Sequence, residues 1–182
     1  YLKDKTYQEE MDYLCASKSR NNYIKNLCVG LQGNTLCLFQ YVEKHGKVLE
    51  ELIRLKDPER KVFFVYGGVN ADEREEIRAI TEKSDSAIIV ASYGTFSTGI
   101  NIRNLHNIVF SSPSKSRIRN LQSIGRGLRL GDNKTNATLY DIADDVSYGE
   151  KENYTLQHFR ERLNIYNEES FDYEIHNVEL KE

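Results

Sequence analysis

Tryptophan is absent from this sequence, and methionine (one), proline (two) and cysteine (three) are scarce. Cys15, Cys28 and Cys37 are odd in number and form no Cys-x-x-Cys pair, so neither a disulfide framework nor a zinc site is indicated. The four histidines are scattered without metal-ligand spacing. No apolar run approaches the ~20 residues that a membrane-spanning helix needs, and no secretory signal pattern opens the chain. The expected compartment is therefore cytoplasmic, and the Asn-x-Ser/Thr matches at Asn133, Asn136 and Asn153 are read as chance. Internal repeats and low-complexity segments are missing too. So is a phosphate-binding loop. The only Gly-Lys pair, Gly46-Lys47, lacks the upstream glycine and the following Ser/Thr, so nothing here can hold a nucleoside triphosphate and its magnesium alone.

What is present suits one soluble domain with a sizeable core: 182 residues, 39% hydrophobic and 29% charged. The net charge of −3 is unevenly spread. Residues 141–182 hold 12 acidic and 4 basic side chains, a net of −8, which leaves +5 for residues 1–140. Within 115–134 six basic residues face a single acid, Asp132. A basic region with an acidic end fits a protein that meets polyanions on one side, and equally an ordinary solvated surface.

Strand and helix patterns alternate along the chain. Residues 1–34 read as a leading helical segment with apolar positions at Tyr7, Met11, Leu14, Ile24, Leu27, Cys28 and Leu31. It is expected to break in the polar SKSRNN and to end at Gly33-Asn34, packing on the domain or bridging to a preceding one. Residues 35–150 then read as strand 35–39, helix 43–56, strand 62–66, helix 71–83, strand 87–91, strand 107–111, helix 115–130 and strand 137–142. Repeated β-then-α units imply right-handed crossovers, a mostly parallel sheet and helices on both faces. Residues 151–182 should add a helix (Leu156, Phe159, Leu163, Tyr166). An edge strand should follow, since Phe171, Tyr173 and Ile175 alternate with polar residues.

Asp72-Glu73-Arg74-Glu75 imitates an acidic metal-binding box but follows Gly-Gly-Val-Asn and not a buried strand. Asn70 as N-cap, with acids in the first turn, accounts for it better.

Residues 86–131 are the informative stretch. Arg119, Gln122, Arg126 and Arg129, spaced three, four and three apart, share one face of a helix. Ile118, Leu121, Ile124 and Leu128 lie beside them and should pack on the sheet. On spacing alone this is the solvated face of an amphipathic helix. Its wording says more. QSIGRGLR resembles motif VI of superfamily-2 helicases, QxxGRxxR, with Gln122, Gly125, Arg126 and Arg129 in place. IIVASYGTFSTGIN resembles the preceding motif V, through Ala91, Ser92, Gly99, Ile100 and Asn101. Strand 35–39 with Gln40 and Tyr41 resembles motif IV, and VYGGV the motif after it. In order and separation these look like the second, RecA-like motor domain of a superfamily-2 helicase, over residues 35–142.

That resemblance implies a RecA-like (P-loop NTPase-type) fold and an ATP-dependent motor. Arg126, Arg129 and Gln122 would act on the γ-phosphate, and Gly99, Asn101 and Gly125 would line the nucleotide. Gln40, Tyr41, Gly67, Gly68, Ser92 and Tyr93 would touch the nucleic-acid backbone, Tyr93 by stacking. ATP and Mg2+ would be held mainly by an N-terminal motor domain carrying the phosphate loop and the acidic box. Along its whole length the chain resembles phage recombination and repair helicases. DNA, branched or in an RNA–DNA hybrid, is therefore the implied partner, the host cytoplasm the place, and no membrane is involved. Two departures stand out: Ser123 where many relatives carry a basic residue, and Asn101 in place of the commoner Asp. The competing reading is a non-enzymatic nucleic-acid or protein-binding module that kept the fold and lost the motor.

Overall fold

Apolar, β-branched runs too short for helices become five strands: β1 (Thr35–Phe39), β2 (Val62–Val65), β3 (Ile88–Ser92), β4 (Asn107–Phe110) and β5 (Thr138–Asp141). The computed structural model describes residues 4–97, 102, 104–112 and 137–181. The expected helix 115–130 lies outside the described residues.

All neighbouring strands run parallel, in the order β2-β3-β1-β4-β5. Parallel neighbours need crossovers, and α3 (Lys47–Lys56) and α4 (Ala71–Glu82) supply the first two. A parallel sheet must also be covered on both faces. Alternate side chains accordingly feed two cores. Leu36, Leu38, Ile89, Ala91, Ile108 and Phe110 gather on one face, against Ile77 of α4 and against Leu163 and Tyr166 of a late helix, α6 (Tyr154–Glu168). Cys37, Phe39, Ile88, Val90 and Val109 gather on the other, against Ile24 and Cys28 of α2 (Lys18–Gly30) and Leu49 and Ile53 of α3. Each buried aliphatic or aromatic side chain stabilises by about 1.5–3 kcal/mol, so these two layers set the fold. Cys15, Cys28 and Cys37 are free thiols, all buried.

The leading segment is α1 (Tyr7–Ala16) followed at once by α2. The break is a single residue, Ser17, whose hydroxyl accepts from the Arg20 amide at 3.3 Å and caps α2. The expected break in SKSRNN thus falls on its first residue, and the rest of that stretch continues as α2, with Arg20 and Asn21 buried and hydrogen-bonded. Glu10 of α1 is 2% exposed and accepts from the Tyr154 and Thr155 amides at 2.9 and 2.7 Å. A carboxylate from α1 thus caps the first turn of α6, where anions are stabilised by the unpaired amides and the helix dipole.

Asn34 is the hub of the opposite, amino edge of the sheet. Its Nδ2 donates to the Thr81, Ser84 and Asn104 carbonyls at 3.0, 2.8 and 2.8 Å, and its Oδ1 accepts from the Ala87 amide at 2.8 Å. The preceding Gly33, at φ +88°, passes so close to the His106 ring that a Cβ would lie 2.6 Å from it. The first turn of the expected helix 43–56 is a π-turn (Val42–Gly46). Asn70 caps α4 by accepting from the Glu73 amide at 2.8 Å, in agreement with the capping reading of the acidic run.

The expected edge strand at Phe171–Ile175 is not formed. Ser170 turns the chain at φ 56°, the Phe171 amide donates to the Tyr166 carbonyl, and the Phe171 and Tyr173 rings pack on the Tyr166 ring. Local aromatic packing at the end of α6 wins over pairing with the sheet, and residues 171–181 run without regular structure.

Candidate nucleic-acid interface

In a parallel sheet all strands leave at the same edge, and the register sharpens that edge here. Phe39 sits opposite Ser92, Val65 opposite Ala91, Leu38 opposite Phe110, and Phe110 opposite Asp141. Gln40-Tyr41, Gly67-Gly68 and Ser92-Tyr93 therefore lie together at the carboxyl edge, where open α/β sheets bind their ligands. That shared edge was the expectation from the alternation of elements.

The β1 exit is held from two sides. The Tyr41 hydroxyl donates to Gln8 Oε1 on α1 at 3.4 Å, and Lys44 Nζ sits 5.3 Å from the Tyr41 ring centroid. Lys44 also donates to Asp12 at 2.9 Å, and this hydrogen bond keeps its ammonium above the ordinary lysine range. Gln40 is half-buried, and its Oε1 is buried without a hydrogen-bond partner among the described residues. The π-turn that follows is possible because Gly46 has no side chain: a Cβ there would lie 2.6 Å from the Phe39 ring. Phe39 cannot give way, being fully buried and stacked on Phe64 with centroids 5.4 Å apart.

At the β2 exit a Cβ on Gly67 would meet nothing within 4 Å, so its backbone is open to approach. A Cβ on Gly68 would meet the Tyr66 ring at 2.7 Å. At the β3 exit Ser92 is half-buried, its hydroxyl 2.6 Å from that of Thr95, and it accepts from the Thr95 amide at 3.4 Å. Ser92 thus caps the short helix α5 (Tyr93–Ser97).

Tyr93 departs from the sequence expectation. It is 4% exposed and packs edge-on against Phe110, with centroids 5.7 Å apart. Burial pushes its phenol well above the ordinary range. The ring is a core residue and does not offer a stacking face, because the turn into α5 directs it onto the sheet. Tyr41, by contrast, remains half-exposed at this edge, beside a cation.

Gln122, Gly125, Arg126 and Arg129, with Gly99 and Asn101, lie outside the described residues. What leads to them is described. Ser111 and Ser112, which follow β4, are 0% and 1% exposed. The Ser111 carbonyl accepts from Arg20 Nη2 at 2.7 Å, and Arg20 also forks onto Asp144 at 2.7 and 3.0 Å. His45 Nδ1 lies 2.7 Å from Ser112 Oγ, and its Nε2 lies 3.0 Å from Asn21 Oδ1. Arg20, Asn21, Lys44 and His45 were not singled out in the sequence. Nothing in their periodicity separates them from solvated helix residues.

Small backbone, an amide side chain, a hydroxyl and one aromatic ring beside a lysine are the kinds of group that can meet sugar and phosphate without reading bases. Among the described residues no group of three or more His, Cys, Asp or Glu could hold a metal ion. No helix among them is long and apolar enough to cross a membrane.

Residues 19–131 match the family described as the helicase conserved C-terminal domain. The ATP-dependent DNA helicase uvsW of Enterobacteria phage T4 is 38% identical over 192 aligned positions, which take in 98% of this chain and 38% of that protein. The crystal structure of T4 UvsW superposes on 93% of this chain and 36% of its own length, with a TM-score of 0.76. The C-terminal part of the Fun30 ATPase domain, at 16% identity, covers 85% of this chain and 56% of its own, with a TM-score of 0.57, and shares the fold. So does the Mss116p DEAD-box helicase domain 2 bound to an RNA duplex, at 13% identity, 74% and 52% coverage and a TM-score of 0.52. The chain spans just over a third of the curated relative it matches. A RecA-like parallel sheet, motif wording in helicase order and a family match over most of the chain agree, and the chain belongs to the helicase conserved C-terminal domain family.

Proposed function

We propose that this chain is the second motor domain of an ATP-dependent DNA helicase or translocase acting on branched DNA in recombination, repair and replication-fork rescue. The observation that carries the proposal is similarity along 98% of the chain to a DNA helicase. In this reading Gln40, Tyr41, Gly67, Gly68 and Ser92 track a strand backbone, and Lys44 adds a cation beside Tyr41. Arg126 and Arg129 neutralise charge developing on the γ-phosphoryl group, Gln122 assists them, and Gly99, Asn101 and Gly125 line the nucleotide. ATP supplies the free energy of closure. ATP and its magnesium ion are held mainly by an N-terminal motor domain of the same polypeptide, since the sequence here has no phosphate loop. Opening and closing of the two domains moves the carboxyl-edge loops along the strand, in the cytoplasm of the host.

The non-enzymatic module is disfavoured by the sequence. A platform that only binds has no need of two arginines and a glutamine in the helicase register. The test is unwinding by the full-length gene product on forked, four-way and RNA–DNA hybrid substrates with ATP. Activity on forked or four-way DNA is expected. Binding without ATP-dependent unwinding or translocation would favour the module.

A further inference from the structure

Where the α1–α2 junction, the π-turn and the end of β4 meet, the interior is polar. Asn21, His45 and Ser112 are 3%, 0% and 1% exposed and form one hydrogen-bonded chain. Its directions can be worked out atom by atom. Asn21 Nδ2 donates to the Cys15 carbonyl at 2.9 Å, so the Asn21 oxygen facing His45 Nε2 can only accept. Nε2 must then carry the proton. Nδ1 is left as a lone pair, and the Ser112 hydroxyl 2.7 Å away must donate to it. Burial, and then the nearby Arg20 charge, push the His45 pKa down to about 3, so the ring is neutral at working pH. Arg20 grips the adjoining Ser111 carbonyl and Asp144.

A fold that needed only filling here would do as well with apolar residues, since replacing a whole hydrogen-bonded set by groups of the same shape costs little. What a polar chain adds is a single fixed arrangement. Its two ends are the informative part. His45 lies in the π-turn that directly follows Gln40 and Tyr41, and such irregular turns are frequent at functional sites. Ser112 is the last described residue before the part of the sequence that carries Gln122, Arg126 and Arg129.

We propose that the Asn21–His45–Ser112 chain couples the two halves of the motor, linking the β1 exit that meets nucleic acid to the β4 exit that leads to the arginines. This rests on the helicase reading above. Asn21, His45 and Ser112 are positioning residues and touch neither ligand. Strand binding at Gln40 and Tyr41 biases the π-turn, and His45 hands that bias to Ser112. By linkage, nucleotide binding changes strand affinity by the same factor.

The experiment is ATP hydrolysis by the full-length gene product, with and without forked DNA, for wild type, His45→Leu, His45→Gln, Ser112→Ala and the His45→Leu/Ser112→Ala double variant. Melting temperatures are measured alongside. His45→Leu and Ser112→Ala should leave the DNA-free rate and the KM for ATP near wild type. Each should lower the DNA stimulation factor by about five-fold or more, the lower end of ordinary coupling between sites. The double variant should lose no more than the worse single one, because both cut the same chain. His45→Gln, which offers one donor and one acceptor, should restore part of the stimulation. The proposal is overturned if folded Ser112→Ala keeps full stimulation, if free and stimulated rates fall by one common factor, or if the double loss is the product of the two single ones. Should His45→Leu fail to fold, Ser112→Ala and His45→Gln decide. Wild type that no nucleic acid stimulates would instead remove the helicase reading, and this inference with it.

Discussion

At the scale of single residues, two arginines on one stripe ask to be told apart. Arg126 lies in the helicase register and Arg119 outside it. A guanidinium that stabilises charge on a transferred phosphoryl group contributes about 10³–10⁵ in turnover, or roughly 4–7 kcal/mol of barrier. If Arg126 plays that part, as proposed, Arg126→Ala in the full-length gene product should collapse kcat with small effects on ATP affinity and melting temperature. Arg126→Lys should rescue poorly, since a point charge does not reproduce a planar fork. Arg119→Ala should stay within a few-fold. Equal behaviour of Arg126→Ala and Arg119→Ala would reduce the stripe to a solvated face. His45 makes a second prediction. Its folded pKa is depressed to about 3, so the unfolded chain binds the proton first on acidification. Its contribution is complete above the ordinary histidine range near 6.5 and is lost as pH falls from there toward 3. The slope approaches about 1.4 kcal/mol per pH unit in that window. Denaturant midpoints measured between pH 7 and pH 4 should fall less steeply in His45→Gln than in wild type. Parallel curves for the two would show that other groups set the acid limb.

At the scale of elements, strands and crossover helices were legible because burial periodicity and length both point to them. β1 keeps its expected bounds, and β2 and β3 shift by about one residue. What could not be read was whatever depends on partners distant in sequence. Glu10 looks like a solvated helix carboxylate until α6 presents its amides, 144 and 145 residues away. Tyr93 looks like a loop aromatic until Phe110 closes on it. Phe171, Tyr173 and Ile175 alternate as a strand would, yet alternation says nothing about whether an edge is there to receive them. The π-turn was hidden for a related reason: Gly46 is one letter, and its meaning lies in the Phe39 ring beneath it. Gly46→Ala is accordingly a test of sign. Helix propensity alone favours alanine by about 1 kcal/mol. The Cβ would lie 2.6 Å from a ring that is buried and stacked, and overpacking of this kind costs about 1–3 kcal/mol. The clash should win, and chemical denaturation should show Gly46→Ala less stable than wild type. A stabilised variant would mean that the π-turn relaxes to α-helix at no cost.

At the scale of the whole molecule, two packed faces on a five-stranded sheet should let the 182-residue chain fold by itself in one cooperative transition, which calorimetry can check. The same chain should hydrolyse no ATP, because no loop in it can cradle a triphosphate. Turnover that vanishes with a substitution inside the chain would refute that. Its binding to DNA should be weak, indifferent to sequence and steeply weakened by salt as counterions are released. The three buried thiols bear on how the proposed closure could be watched. The Cys15 thiol is pushed up to about 11 by burial, and Cys28 is raised well above the usual range by its hydrogen bond to Cys37 and by burial. Maleimide dyes need an accessible thiolate, so this domain is silent toward them without removing any native cysteine. Leu55, 71% exposed at the end of α3, is a site where one introduced cysteine would carry the only reactive dye on the domain. If the chain works against an N-terminal motor domain as proposed, a second dye placed there would report the separation of the two as a distance, one molecule at a time.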